Sequence, residues 1–234
     1  LAVQQGATLI RETVIQVEET DSDVVVESSS GPLLRAPRTL VAAGAFTNFG
    51  KLLPRPIPLF LKTETTILGE VSEATAARMA NLPVVTYQID DREIDDIYMT
   101  PPVRYPDGRY CVKLGGNTRT DTWPESLEAV QAWFRHGDSD LCKPAMARAL
   151  QGLLPTVEFL SLTSARCIVA YTPSGLPTVD AVSERIYVAA GGNGSAAKCA
   201  DTLGWLAAGL IYDGHWPVEI ERKPFEAQMR WNAE

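Results

Sequence analysis

Short runs of β-branched residues open the chain, from Ala7 to Val17 and from Val24 to Glu27, with Asp21-Ser22-Asp23 between them. Such runs broken by a polar turn cluster predict a small strand meander, and a second turn is expected at Ser28 to Pro32. TLVAAGA, Thr39 to Ala45, is instead a continuous apolar run ending in small residues. That pattern predicts a fully buried parallel strand whose end lies against another backbone or a ligand. In KLLPRPIPLF, residues 51 to 60, alternate prolines remove donors and restrict their predecessors, so helix is excluded and a crossing between domains is expected.

Strands are predicted next over Leu59 to Glu70 and Val84 to Ile89, with a short helix between them that Ser72 would cap and whose first turn holds Glu73. IYMTPPVRYPDGRYCVKLGG, residues 97 to 116, places Asp107-Gly108 between two strand-like runs, a hairpin signal. Helical spacing then puts Leu127, Val130 and Phe134 on one face of Glu125 to Phe134. It puts Met146, Leu150 and Leu153 on one face of Pro144 to Leu154, before Pro155 stops the helix. A strand around Ala165 to Ala170, a turn at TPSGLPT, a strand at Ile186 to Ala190, a glycine-rich loop and a closing helix complete the pattern. Buried strand and helix at both ends with antiparallel sheet between predict an α/β domain interrupted by an α+β domain. The expected boundaries are residues 1–52, 53–160 and 161–234.

Composition narrows the function classes. The 234 residues are 45% hydrophobic and 21% charged, ordinary for a globular chain. A net charge of −8 without a cluster of Lys and Arg argues against a nucleic-acid partner. No apolar run is long enough to cross a bilayer, so the expectation is a cytoplasmic protein with no membrane partner. The four cysteines lie singly, and His136 and His215 are the only imidazoles, which indicates neither a zinc site nor a disulfide framework.

The glycine-rich loop, GGNGSAAK, first suggests a phosphate cradle. Aligned on Lys198, a Walker loop would need glycine where Ala197 stands and a hydroxyl where Cys199 stands, so two of its signature positions fail. As a dinucleotide fingerprint, Gly192, Gly194 and Ala197 fit the variant ending in alanine. That motif, however, opens a nucleotide-binding domain, and here it lies near the C-terminus with no strand after its helix.

Four segments taken together carry more. GATLIRETVIQVEE with TLVAAGAFTN, then IYMTPPVRYPDGRYCVKLGG, then RCIVAYTPSGLPTVD, and finally IYVAAGGNGSAAKCADTLGWLAAGL follow one another in the order and spacing of a known family. They resemble the C-terminal portion of the FAD-dependent oxidoreductases of the D-amino-acid oxidase superfamily, closest to the monomeric sarcosine oxidase and N-methyl-amino-acid oxidase branch. The likeness implies FAD as cofactor and an incomplete, Rossmann-like FAD-binding domain interrupted by a substrate domain on a mostly antiparallel sheet. In the family roughly 150 residues, a domain-sized length, precede the point where Leu1 stands and hold the GxGxxG unit. The chain is therefore expected to be a partial member, with apolar surface favouring self-association.

Residue by residue, the resemblance implies the following roles, each beside a plainer one. Cys167 lies five residues before Thr172-Pro173, the spacing of a cysteine that bonds the flavin covalently; alone, a cysteine in a strand is a small buried hydrophobe. Lys113, in YCVKLGG, matches a lysine held near the reactive flavin nitrogen, where an ammonium stabilises charge building on dioxygen. Without the family it is a lysine on the wet face of a hairpin. Asn117 stands where some members have His. Lys198 matches a lysine that binds the substrate carboxylate, or is an exposed residue of a helix's first turn.

Gly44 and Ala45 match the segment lying along FAD, Val14 the strand whose backbone meets the adenine, and Gly192, Asn193 and Gly194 the flavin-facing loop. Tight packing at a strand end would ask for small residues equally. Tyr98 matches an aromatic residue on the substrate side, or belongs to the core. The implied reaction is oxidation of the C–N bond of an amino acid or N-methyl amine, with dioxygen reoxidising the flavin and hydrogen peroxide released. Alternatives are a dehydrogenase with another electron acceptor, and a non-catalytic fragment or subunit that needs a separate FAD-binding half.

Overall fold

The computed structural model describes residues 1–228. The chain divides into two compact units, Leu1–Phe60 with the chain from Ala170 onward, and Leu61–Val169. In the first unit, β1 (Val14–Glu19), β2 (Val24–Ser28) and β3 (Gly31–Ala36) form an antiparallel meander. Its first turn is tied by the Thr20 hydroxyl, which donates to Asp23 Oδ1 at 2.6 Å, and by Arg35, 3.0 Å from the same carboxylate. Those two interactions, the Thr20 hydrogen bond first, hold the Asp23 carboxyl below its ordinary value.

The expected strand from Ala7 starts only at Val14, because pairing with β2 begins there. Leu9 and Ile10 upstream are exposed. Further upstream, Val3–Gln5 is a single 3₁₀ turn closed by Gly6. The strand expected over Thr39 to Ala45 is shorter still. β4 (Thr39–Val41) gives way to a 3₁₀ turn at Gly44–Phe46. It lies at the edge of its sheet, paired in parallel with Ile186–Ala190, so Val41 is buried while Leu40 is 37% exposed. The proline-dense stretch buries Leu52, Ile57 and Leu59, and the Asn48 side chain clamps it by hydrogen bonds to both the N–H and the C=O of Ile57.

The second unit is built on β5 (Phe60–Val71), which runs into α1 (Glu73–Arg78) through an N-cap in which Ser72 Oγ accepts from Thr75 N–H. There follow β6 (Val85–Gln88), β7 (Ile94–Arg104) and β8 (Tyr110–Thr118), with the β7–β8 hairpin turning at Gly108, whose φ is +90°. Then come α2 (Leu127–His136), α3 (Lys143–Leu153) and β9 (Ser161–Tyr171). The strand order is β6-β7-β8-β5-β9. One face of this sheet carries Ile67, Val71, Ile97, Met99, Val112 and Leu114, packed with Ala145, Met146 and Leu150 of α3. Gly69 leaves room there, since a Cβ would lie 2.6 Å from the Phe159 ring. On α2 only Val130 is buried, and Phe134 is 38% exposed, so the expected apolar face is not fully covered. The helix is fixed instead by Trp133 Nε1–H, which donates to the Cys167 carbonyl at 2.8 Å.

Back in the first unit, β10 (Thr178–Ala181) and β11 (Ile186–Ala190) pair antiparallel, giving a sheet in the order β10-β11-β4. α4 (Ala200–Asp213) buries Leu206, Ala207 and Leu210 and ends at Gly214, with φ +75°. Between β11 and α4 the chain turns through Gly191 (φ +75°), Asn193 (φ +51°) and Gly194 (φ +69°). Beyond α4, Asp180 accepts from Arg222 at 2.8 Å and from the Ala227 N–H at 2.9 Å, and Trp216 packs on Phe225. Among the described residues no helix is long and apolar enough to cross a membrane, and no group of His, Cys, Asp and Glu could hold a metal ion.

The tightest of these backbone positions is Gly191, where a Cβ would lie 2.2 Å from Thr172 Cγ2 on a left-handed backbone. Gly191→Ala is therefore expected to destabilise the chain by about 2–4 kcal/mol, combining overpacking with the cost of positive φ. Urea unfolding should show it as a lower midpoint with an unchanged slope.

Candidate functional site

A β-strand exposes alternate residues to opposite faces, and the register of the five-stranded sheet decides which side chains of the second unit meet. Tyr98 stands opposite Gly115, Thr100 opposite Lys113 and Asp96 opposite Asn117, while Thr66 of β5 is also opposite Gly115. Alternation along β5 puts Glu64 and Lys62 on that same side. This face is polar: Lys62, Glu64, Thr66, Asp96, Tyr98, Lys113 and Asn117 lie on it, opposite the apolar face under α3.

Gly115 makes the central contact. A Cβ there would lie 2.4 Å from the Tyr98 hydroxyl oxygen, so the absence of a side chain lets the tyrosine lie across β8 and reach β5. Its hydroxyl donates to Glu64 Oε1 at 3.1 Å. Lys113 Nζ lies 5.3 Å from the centroid of the same ring, within range of a cation–π interaction. Among the described residues no carboxylate forms a salt bridge with Lys113.

The ionisable groups feel each other. Burial pushes the Glu64 carboxyl above its ordinary value, opposed by the Tyr98 hydrogen bond and by the charges of Lys62 and Lys113. Burial also raises the Tyr98 phenol, reinforced by the Glu64 charge. The half-buried Cys167 thiol of β9 is raised by burial and by Glu64 and lowered by Lys113, so it senses the same charges. At the far end of the face, Lys62 is paired with Asp121 at 2.8 Å and hydrogen-bonded to Asn117, whose amide nitrogen donates to both Asp96 oxygens at 2.8 Å.

Of the residues singled out in the sequence, Lys113, Tyr98 and Cys167 thus share one sheet face. The remainder belong to the other unit. Val14 is an exposed first residue of β1, and Gly44 and Ala45 form the 3₁₀ turn after β4. Lys198 is exposed in the 3₁₀ turn Ala196–Cys199, ahead of α4 rather than in its first turn. Gly192 and Gly194 flank Asn193, whose side chain is committed to the chain itself. Its Oδ1 accepts from Thr172 N–H at 2.9 Å and its amide donates to the Gly191 carbonyl at 2.6 Å, while its N–H donates to the Ala170 carbonyl at 3.0 Å. Only its backbone carbonyl remains for a ligand. The GGNG loop and the TPSG turn are in this way locked together.

Sequence reasoning missed Glu64 and Lys62. The available signal was KTETT, five consecutive polar residues between apolar ones, all buried in a central strand. Asp96 and Asp121 carried no comparable mark, because their partners are set by cross-strand register and by the turn after β8.

Comparison with known proteins supplies the family. Residues 1–210 match the family model described as DAO: FAD dependent oxidoreductase. A search of curated protein sequences gives no match. Among solved structures, the chain is similar to NikD, an amino acid oxidase of nikkomycin biosynthesis, with 17% identity and a TM-score of 0.70 over 98% of this chain and 58% of that one. It is similar to glycine oxidase from Geobacillus kaustophilus, with 17% identity and a TM-score of 0.62 over 98% of this chain and 55% of that one. It also resembles the fructosyl amine:oxygen oxidoreductase Amadoriase I from Aspergillus fumigatus, with 19% identity and a TM-score of 0.62 over 91% of this chain and 48% of that one. The chain thus spans 58% or less of the length of each of these. Its mixed α/β architecture with several antiparallel sheets is that of these oxidases. With nine-tenths of its residues inside the family model, the chain belongs to the DAO family of FAD-dependent oxidoreductases.

Proposed function

We propose that the chain forms part of a flavoenzyme that oxidises the C–N bond of an amino acid or N-methyl amine and transfers the electrons to dioxygen, releasing hydrogen peroxide. The observation that carries this reading is Lys113. It is an ammonium in no salt bridge among the described residues, held beside Tyr98 on the polar face of a sheet in a DAO-family chain. A cation without a direct ion pair in a partly buried place suits a site where negative charge appears during reaction. Cys167, whose thiol feels the charges of Lys113 and Glu64 and a hydrogen bond from the Ile168 backbone, fits a group that presents an electrophilic carbon.

FAD, when bound, supplies a two-electron acceptor that dioxygen can reoxidise. The chain's own residues then divide the remaining work. Lys113 stabilises negative charge on oxygen. Tyr98 bounds the substrate side, and exposed Lys198 attracts a substrate carboxylate. Gly44 and Ala45, together with Gly192 and Gly194, offer backbone without bulk, Asn193 offers its backbone carbonyl, and a Cβ at Gly44 would meet nothing within 4 Å. Val14 offers the backbone of β1. Cys167 would supply the sulfur of a covalent link to the ring methyl of FAD, its S–H and one methyl C–H being exchanged for the S–C bond, with the two protons and two electrons released taken up finally by dioxygen as hydrogen peroxide.

The first test is uptake of FAD. The purified chain should turn yellow with added FAD, and after acid precipitation the flavin fluorescence should stay with the protein, whereas Cys167→Ser should release it. A colourless chain that takes up no FAD would overturn the reading. In the FAD-loaded chain, Lys113→Met is expected to slow reoxidation by dioxygen by about 10²–10³-fold, in keeping with loss of one preorganised electrostatic group, and stopped-flow absorbance would show it.

The thiol gives a pH test in the flavin-free chain. Because the folded Cys167 pKa is raised, the protonated thiol is the favoured form at neutral pH and its contribution to stability is lost as pH climbs through the raised value. Iodoacetamide labelling of Cys167 should therefore be slow at pH 7 and accelerate at pH values above those at which a model thiol reacts.

A further inference from the structure

We propose that Glu64 is the group that receives the positively charged amine of the substrate. The inference rests on the amine-oxidising reading above and adds to it a recognition element that the glycine loop and Lys113 do not provide.

Matching the charges of the polar sheet face leads to this residue. Lys62 is neutralised by Asp121, 2.8 Å away, and Asp121 accepts further from the Thr118 N–H at 3.0 Å and the Thr118 hydroxyl at 2.9 Å. Asp96 takes both of its oxygens' contacts from the Asn117 amide. These groups are mutually satisfied. Glu64 is not: it is 7% exposed, forms no salt bridge among the described residues, and has the neutral Tyr98 hydroxyl as its hydrogen-bond partner. A carboxylate has room for about four hydrogen bonds, and a buried one with no cation in direct contact is left with part of its desolvation cost unoffset. A cationic ligand would offset that cost and occupy the remaining acceptor positions.

The surroundings also place the two unmatched charges on different parts of one ring. Lys113 lies over the Tyr98 ring and Glu64 lies at its hydroxyl, so both charges are held against one side chain. The groups facing Glu64 are Tyr98 from β7, Lys113 from β8, Lys62 on its own strand, Asp121 after β8 and Cys167 from β9. Lys62 and Lys113 favour the ionised carboxyl, and burial and Asp121 oppose it. Attraction for a cation should accordingly appear as pH rises through the raised Glu64 value and vanish below it.

The test compares two probes of the same shape and different charge in the FAD-loaded chain. Trimethylammonioacetate carries a quaternary nitrogen that cannot be oxidised to an imine, and 3,3-dimethylbutanoate has carbon in its place. Dissociation constants come from the change in flavin absorbance on titration. The unaltered chain should prefer the cationic probe by about tenfold through charge attraction alone, since a quaternary nitrogen has no N–H to donate. Glu64→Gln should bring the two probes within about twofold, and Glu64→Asp should retain part of the preference. FAD-loaded protein that binds both probes equally, or a tenfold preference that survives Glu64→Gln, overturns the assignment of Glu64 and leaves the functional reading intact. Failure to take up FAD overturns the functional reading, and this inference with it.

Discussion

The two faces of a β-sheet cannot share an environment, and in the second unit that constraint is decided by the contact of Tyr98 with Glu64 across Gly115. The side chain that would block the tyrosine is missing at one position of β8, so an aromatic ring spans from β7 to β5 and fixes the direction in which the polar residues of three strands point. Once that face is set, the intervening residues Ile67, Met99, Val112 and Leu114 must turn the other way. There α3 covers them with Met146 and Leu150. The arrangement of charges and the packing of the core are thus one decision made by register.

Much of this was legible in the sequence, for reasons that can be named. Asp107-Gly108 marked the β7–β8 hairpin because only a few residues tolerate the turn's backbone, and Ser72 marked the start of α1 because its hydroxyl can accept from an early N–H. Lys113, Tyr98 and Cys167 were brought out by likeness to a family rather than by pattern. β3 went unseen because Gly31-Pro32 was taken for the end of a turn, although the glycine at φ +124° is where the strand begins. β10 was hidden in the same way behind the TPSGLPT turn.

What the sequence could not show was long-range matching. The extent of TLVAAGA was overestimated because a run of small apolar residues looks alike in a central strand and at a sheet edge, and the number of neighbours settles which it is. Glu64 and Lys62 went unremarked within their predicted strand, because their partners Tyr98, Asn117 and Asp121 are set by pairing across strands and by the turn after β8. Local conflict between pattern and element is where functional groups tend to lie, and KTETT is such a conflict.

The hydrogen bonds of Asn193 have one more effect. By closing Gly191 and Thr172 onto the same amide, they fix the glycine loop through contacts internal to the chain. A loop of glycines would otherwise have to be immobilised by whatever binds it, and that ordering would be subtracted from the affinity. Here the entropy is surrendered once, during folding. The loop is therefore preorganised, and a ligand meeting its backbone keeps the full strength of each contact it makes.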